Sequence, residues 1–459
     1  MTSIATALVA PFKRAMLVGS AGALLVIGAP VHAQWSKSAW PNTLGPGASQ
    51  QLRAQIAGEA DALRSFYAKR GNQPLWIYPD GRPTAAAEIL LTRLDTAQFD
   101  GLDERTVKRL RTRTLRRDFD RAMRGNPDDI ARAEIGLSKL FTYYVTAMRS
   151  AHRADMIYES QALAPVVPTA PAVLEMAAKA PSLDTYVREM GWMHPLYAPL
   201  RDAMDTRLYT EDQRARIWEN LDRVRALPAT PPDRYVLVDA ASARLWMYEN
   251  GKPVDSMKVV VGKPESSTPQ MAGFIRYAIV NPYWNVPPDL VQKSIAPKFL
   301  KGGMKYWTRE RYEVFSGLGD DETPLDPKSV DWAGIAAGAA PPYVRQKPGG
   351  PNFMGKVKYE FPNAQGIYLH DTPERALLKL ADRQLSNGCV RLEDADRLGR
   401  WLLGKPLPLS KSPEQRVDLP TLVPVYITYL TAFPGETRIA FRNDVYRRDN
   451  AAQFAYAGE

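Results

Sequence analysis

Apolar positions in the first half of the chain recur at helical spacing. Leu137, Leu140, Phe141, Tyr144, Val145 and Met148 fall on one face if the segment is a helix. A second helix is expected over Ala85–Leu94, where Thr84, directly after Pro83, can cap the first free amide groups. The same reading makes residues 51–225 mostly helical, with a last helix at Glu211–Arg225. Pro228, Pro231 and Pro232 follow, and a proline cluster cannot continue a helix, so the domain boundary is expected at 232. Residues 163–182, rich in proline and alanine, read as a loop or substrate-facing excursion. Residues 34–50, rich in Ser, Pro, Gly and Asn, read as a flexible lead-in to the helical region.

From Asp233 the period changes. Tyr235–Val238, Leu245–Tyr248 and Met257–Val261 are short runs of β-branched, aromatic and other apolar residues. Glu249-Asn250-Gly251 separates the last two, and Asn-Gly is the strongest short hairpin signal because both residues tolerate positive φ. Further strands are expected at Ile275–Val280, Gly366–Leu369 and Val423–Tyr429, with a short helix at Ala395–Leu403. A β-rich domain therefore fits residues 233–430, and residues 431–459 hold one more strand, Arg438–Phe441, and a tail. The chain is expected to be an α+β multidomain protein, consistent with its 459 residues exceeding a single core of ordinary size.

The N-terminus changes where this fold is expected to work. Lys13 and Arg14 precede an apolar run from Ala15 to Ala29, and Pro30 breaks it. Val31-His32-Ala33 then puts small residues at the two positions a signal peptidase reads, which predicts cleavage after Ala33 and a periplasmic mature protein. No later segment is long and apolar enough to cross a membrane as a helix. The whole chain has a formal charge of +10; residues 1–33 hold two basic and no acidic residues, so 58 − 50 leaves +8 after cleavage. That balance suits anionic partners such as cell-wall polymers. The basic residues are dispersed and no zinc-finger or aromatic RNA-binding signature is present, so no nucleic-acid partner is expected.

Export also gives the single cysteine, Cys389, its interest. A lone thiol makes no internal disulfide, so Cys389 is either a nucleophile or an inert buried residue. The histidines after residue 33 are His152, His194 and His370. The first two are isolated and read as structural. His370 ends a strand-like run and lies nineteen residues before Cys389 in the sequence. A cysteine attacks carbonyl carbon as thiolate, and a histidine in reach can take its proton and return it to a leaving amine. Gly388 permits a tight turn before the nucleophile, and its N–H with that of Cys389 can face a developing oxyanion. A third group must hold the imidazole tautomer; Asp371 is near, through its side chain or only its backbone carbonyl. No metal or cofactor is implied, since the histidines and cysteine form no ligand cluster and no nucleotide fingerprint occurs.

Tyr368-Leu369-His370-Asp371-Thr372-Pro373, followed by Ser386-Asn387-Gly388-Cys389-Val390-Arg391-Leu392, resembles the catalytic signature of the L,D-transpeptidase (YkuD-type) domain. Val259–Lys263 with Thr268-Pro269, Asn281–Pro287, Arg345–Gly349, Val425–Tyr429 and Asp444-Val445-Tyr446 resemble blocks of the large periplasmic Gram-negative subgroup. Phe66-Tyr67 and Gln73–Trp76 resemble its helical scaffold domain. The resemblance implies a β-rich, sandwich-like catalytic domain with Cys389 as nucleophile, His370 as base, the Asp371 carbonyl orienting the ring, and Gly388 and Cys389 at the oxyanion site. Its implied substrates are peptidoglycan stem peptides, donor and acceptor. The thiol attacks the carbonyl of a third, diaminopimelate-type residue and becomes acylated, D-alanine leaves, and a second stem's amine resolves the thioester. Ser386, Asn387, Tyr368 and Trp284 are implied substrate contacts, Tyr283 can join them, and Arg391 either holds a stem carboxylate or forms a salt bridge beside the site. A carbapenem is the implied covalent inhibitor. Water or a protein amine as acceptor would make the same site an L,D-carboxypeptidase or a protein-anchoring enzyme. The reading from another class is a non-catalytic wall-binding scaffold protein. Many family members have His where this chain has Asn387, and no peptidoglycan-binding module is evident before Pro232.

Overall fold

Helix α6 (Pro127–Ser150) forms because its apolar residues repeat at helical spacing, and Leu137, Phe141, Tyr144, Val145 and Met148 are all buried along it. The computed structural model describes residues 44–150, 154–317, 322–409 and 412–449. The expected signal segment, its cleavage point and His152 lie outside the described residues. Around α6 stand α1 (Pro46–Ala57), α2 (Asp61–Lys69), α3 (Ala85–Asp95), α4 (Glu104–Arg109), α5 (Arg113–Ala122), α7 (Ala170–Lys179), α8 (Leu183–Arg188), α9 (Tyr197–Met204) and α10 (Glu211–Arg225). The Thr84 hydroxyl accepts the Ala87 N–H at 3.2 Å, and Thr210 with Gln213 forms a capping box at the start of α10.

Two buried carboxylates tie these helices together. Glu134 on α6 accepts the Leu75 N–H at 2.6 Å, the Trp76 N–H at 2.9 Å and the Tyr67 hydroxyl at 2.6 Å. Asp100 accepts Arg201 Nε at 2.9 Å and the Tyr144 hydroxyl at 2.7 Å. Both are enclosed, so each needs this full set of donors to remain inside.

The lead-in is shorter than expected. Residues 46–50 belong to α1, where Pro46 sits in the first turn and Leu52 and Ile56 bury against the helical core. The segment 163–182 is likewise no simple excursion. Pro171 sits in the first turn of α7, whose Val173, Leu174 and Ala177 are buried; proline is tolerated there because its missing N–H has no partner within the helix to lose.

The β-rich half closes on itself. Its strands are β1 (Ile157–Tyr158), β2 (Arg234–Asp239), β3 (Arg244–Glu249), β4 (Lys252–Gly262), β5 (Met271–Val280), β9 (Val357–Glu360), β10 (Leu369–His370), β11 (Gln384–Ser386), β12 (Val390–Leu392) and β13 (Gln415–Thr428). Asn250 and Gly251 form the β3–β4 turn with φ of 50° and 76°, as the hairpin signal predicts. The order β5-β13-β2-β3-β4-β12-β10-β9 returns to β5 through the β5–β9 pairing. The β-rich expectation thus holds, with the sheet a ring around a core that includes Val236, Val259, Leu369, Val390 and Ile427.

The two halves interlock. Strand β1 comes from the helical half of the sequence and pairs with β5 of the ring. In return β14 (Ala432–Pro434) and β15 (Ile439–Phe441) form a hairpin whose residues pack on the helical core, with Asn220 donating to Thr431 Oγ1 at 2.8 Å.

An insertion between β5 and β9 builds a third, smaller core. Strands β6 (Trp284–Asn285), β8 (Tyr343–Gln346) and β7 (Tyr312–Phe315) form a sheet, joined by α11 (Ala296–Glu310) and α12 (Trp332–Ala336). Val291, Ile295, Trp307, Trp332 and Val344 fill it. Its helical part is broken at Gly303, where φ is 51° and ψ is −147°, which explains why no clean period marks it in the sequence. The expected helix at Ala395–Leu403 is present as α13.

Candidate active site

Strands β10 and β12 run parallel, with Leu369 beside Val390 and His370 beside Arg391. Side chains alternate along a strand, and Leu369 and Val390 point into the ring's core. Tyr368, His370, Cys389 and Arg391 therefore share the other side, where they line one cleft of about 610 Å³. The insertion supplies the facing wall through Trp284, Asn285, Asp289 and Lys298.

His370 Nδ1 lies 2.6 Å from the Asp371 carbonyl oxygen. A carbonyl only accepts, so Nδ1 carries the proton and Nε2 keeps its lone pair. The Asp371 carboxylate is occupied elsewhere, by the Lys356 N–H at 2.9 Å and Arg375 at 2.5 Å. Burial first, and then the Arg391 charge, push the His370 imidazole down to about 3, so the ring is neutral near pH 7.

Cys389 is half-buried, and its sulfur lies 3.6 Å from the Gly366 carbonyl. Burial pushes its thiol up, against the lowering effects of a Tyr368 backbone hydrogen bond and Arg391. Both shifts favour uncharged forms, so the resting pair is thiol and neutral imidazole. The sign follows for reactivity: thiolate accumulates only as pH rises through the raised cysteine value. Alkylation of Cys389 by iodoacetamide is expected to accelerate about tenfold per pH unit between pH 6 and 8.5, because the thiolate fraction does so below the pKa. A flat rate across that range would reveal a preformed thiolate–imidazolium pair and contradict this arrangement.

The turn before Cys389 is held from both sides. The Ser386 hydroxyl donates to the Cys389 carbonyl at 2.6 Å and accepts the Gly388 N–H at 3.1 Å. The Thr268 hydroxyl donates to the Gly388 carbonyl at 2.7 Å and accepts the Gly262 N–H at 2.8 Å. Gly388 has φ of +119°, and a Cβ there would come within 3.2 Å of Ile367 Cδ1, so the position requires glycine.

This geometry corrects three expectations. The Gly388 N–H is consumed by Ser386 and does not face the cleft as an oxyanion donor; the Cys389 N–H has no partner among the described residues and is the donor left over. Ser386 lines the cleft but is 1% exposed with its hydroxyl spent on the turn at Cys389, so it offers no free hydroxyl there. Tyr283 does not line the cleft; its ring lies under the Arg345 guanidinium at 4.4 Å and its N–H bonds Glu414 at 2.6 Å. Asn387, Tyr368 and Trp284 do line it, Trp284 packed on Phe353 at 4.9 Å. Arg391 lines the cleft while ion-paired to Glu374, so the salt bridge considered for it is present. His194 is fully enclosed and pushed to about 3 by burial, in line with a structural role.

Thr268 and Glu374 carry no motif signal that spacing alone reveals; the fold brings them to the site from 121 and fifteen residues before Cys389. Thr268→Val keeps shape and removes both hydroxyl bonds. It is expected to slow acylation of Cys389 by about ten- to a hundredfold, the scale of a small misplacement, as read by stopped-flow mass analysis. An unchanged rate would show that the turn holds without it. Among the described residues no cluster of three or more His, Cys, Asp or Glu could hold a metal, and no helix is long and apolar enough to cross a membrane.

Comparison with known proteins matches residues 233–427 to the YkuD L,D-transpeptidase catalytic domain and residues 61–204 to a scaffold domain. A Haemophilus influenzae protein named "Putative L,D-transpeptidase" is 27% identical over 407 residues, covering 86% of this chain and 79% of its own length. The chain carries an L,D-transpeptidase catalytic domain and a scaffold domain. The catalytic-domain match takes in β2 to β13 with His370 and Cys389, and the scaffold match takes in α2 to α9. Solved structures overlap weakly. An L,D-transpeptidase from Mycobacterium smegmatis is 11% identical, covering 44% of this chain and 61% of that one, with a TM-score of 0.23. L,D-transpeptidase 3 from Mycobacterium tuberculosis is 14% identical, covering 44% and 63%, with a TM-score of 0.22. The aligned part thus spans less than two-thirds of those chains, and the two domain assignments rest on the sequence matches.

Proposed function

We propose that this chain cross-links peptidoglycan stems between their third residues through a Cys389 thioester. The observation that carries the proposal is the pairing of β10 with β12, which sets the chain's single thiol and a neutral imidazole with a free Nε2 in one cleft. His370 takes the thiol proton as sulfur attacks the carbonyl of the donor's third residue. The Cys389 N–H faces the oxygen on which negative charge develops. His370 then protonates the departing D-alanine nitrogen, and a thioester remains. The amine of a second stem attacks it, His370 takes the amine proton, and the thiol is restored as the new amide forms.

Residues 51–232 serve in this reading as a scaffold domain and 233–430 as the catalytic domain. The basic and apolar N-terminal run with Ala33 at its end supports export to the periplasm, where the substrate is. A carbapenem would acylate the same sulfur, since ring opening relieves strain while the leaving nitrogen stays tethered.

The test is mass analysis of residues 34–459 with disaccharide-tetrapeptide, beside Cys389→Ala. Dimers joined between third residues, absent with the variant, are the expected result. Tripeptide alone would replace the reading with a carboxypeptidase. No acyl-enzyme on Cys389 with stem or carbapenem would overturn it.

A further inference from the structure

Arg391 and Glu374 form an ion pair in the wall of the cleft that holds Cys389. The arginine side chain is 11% exposed and the glutamate 44%. Neighbouring arginines are committed to structure. Arg383 donates to five backbone carbonyls, those of Val259, Leu380, Ala381, Ser242 and Ala243. Arg375 binds the Glu393 carbonyl and Asp371. Arg391 differs: among the described residues its hydrogen-bonding partner is the Glu374 carboxylate, and its guanidinium lies over the Phe353 ring at 6.0 Å. An ion pair with one partner so exposed contributes little to stability and parts at low cost.

A separable cation and anion in contact are complementary to a zwitterion. Arg391 stands two residues beyond Cys389 on the same side of the strand, about 6.6 Å along it. The methylene chain of diaminopimelate spans a similar length from its reacting end to a carbon bearing both ammonium and carboxylate. We infer that the Arg391–Glu374 pair opens to receive that zwitterionic end of the donor, guanidinium to carboxylate and Glu374 to ammonium. The inference rests on the transpeptidase reading and deepens it. The pair gives up one ionic contact and gains two, with no net change of charge in the cleft. It selects donors whose third residue ends in a free amino acid, and it places the scissile carbonyl over the sulfur as it does so.

The test measures the acylation half-reaction, as D-alanine release and acyl-enzyme mass, with three tetrapeptide donors. One carries diaminopimelate, one carries it with the side-chain carboxylate amidated, and one carries it with the side-chain amine acetylated. The wild-type chain is expected to prefer the first over either other by about 10- to 100-fold, the scale of one charge-assisted hydrogen bond. Arg391→Gln should erase the preference against the amide alone, and Glu374→Gln the preference against the acetylated donor alone. Arg391→Lys, which keeps the charge, should restore part of the first preference. Iodoacetamide alkylation of Cys389 checks that each variant retains its cleft. Equal losses on all three donors would mean the pair only braces the wall, and unchanged preferences would mean substrate does not meet it; either overturns the inference while leaving the transpeptidase reading intact. No acyl-enzyme from any donor in the wild-type chain would overturn both.

Discussion

His370→Gln is expected to lower the rate of Cys389 acylation at pH 7 by about 10²–10⁴-fold, and Cys389→Ala to abolish it. The first loss is large because the resting thiol is not ionised. Burial raises the Cys389 value and lowers that of His370, so acylation is expected to begin with a proton transfer. The Asp371 carbonyl has already fixed the acceptor nitrogen for that transfer. The effect should shrink as pH rises: the variant lacks a base, but alkaline solvent ionises the thiol directly, so its rate climbs toward that of the wild-type chain. A pH profile of acyl-enzyme formation for both proteins reads this out. A constant ratio from pH 6 to 9 would show that His370 orients substrate rather than accepting the proton, and an undiminished rate at pH 7 would remove it from the chemistry.

Asp100→Ala is expected to destabilise the protein by about 3–5 kcal/mol, measured by urea unfolding with helix content as the signal. Asp100 and Arg201 are 1% exposed each, and breaking a buried pair leaves the surviving charge without compensation. Arg201 retains Thr96 through its carbonyl and hydroxyl, but these are neutral acceptors. The Tyr144 hydroxyl loses its carboxylate partner as well. The Asp100 carbonyl also receives Arg225, so the turn joins α6, α9 and α10 at one point. The control is Glu104→Ala, which breaks the exposed Lys108 pair and should leave the urea midpoint almost unchanged. Equal effects from the two substitutions would mean the buried pair contributes no more than a surface one.

The sequence is most legible where a single element satisfies its own requirements. Thr84 caps α3, Asn250-Gly251 turns the β3–β4 hairpin, and α10 ends before the prolines, all by interactions within a few residues. It is least legible where a residue's partner is distant. Residues 163–182 read as loop because proline is a breaker in general, and only packing of Val173 and Leu174 on the core makes its local tolerance in a first turn count. Glycines in α11 and dispersed aromatics concealed the inserted subdomain, whose core assembles from residues 286 to 344.

The sequence by itself pointed to the candidate pair, since one thiol and one histidine in a strand-like motif are countable, and it determined the change from helical to β-rich folding near residue 233. Only the tertiary structure decided which groups at that pair are free to act. Whether the Gly388 N–H faces substrate depends on a hydroxyl two residues away, whether Arg391 is committed depends on Glu374 beside it in the cleft wall, and the turn is braced by Thr268 from another strand connection. Hydrogen bonds and ion pairs are exclusive at short range, so the role of each donor is settled by what the fold brings within about 3 Å of it.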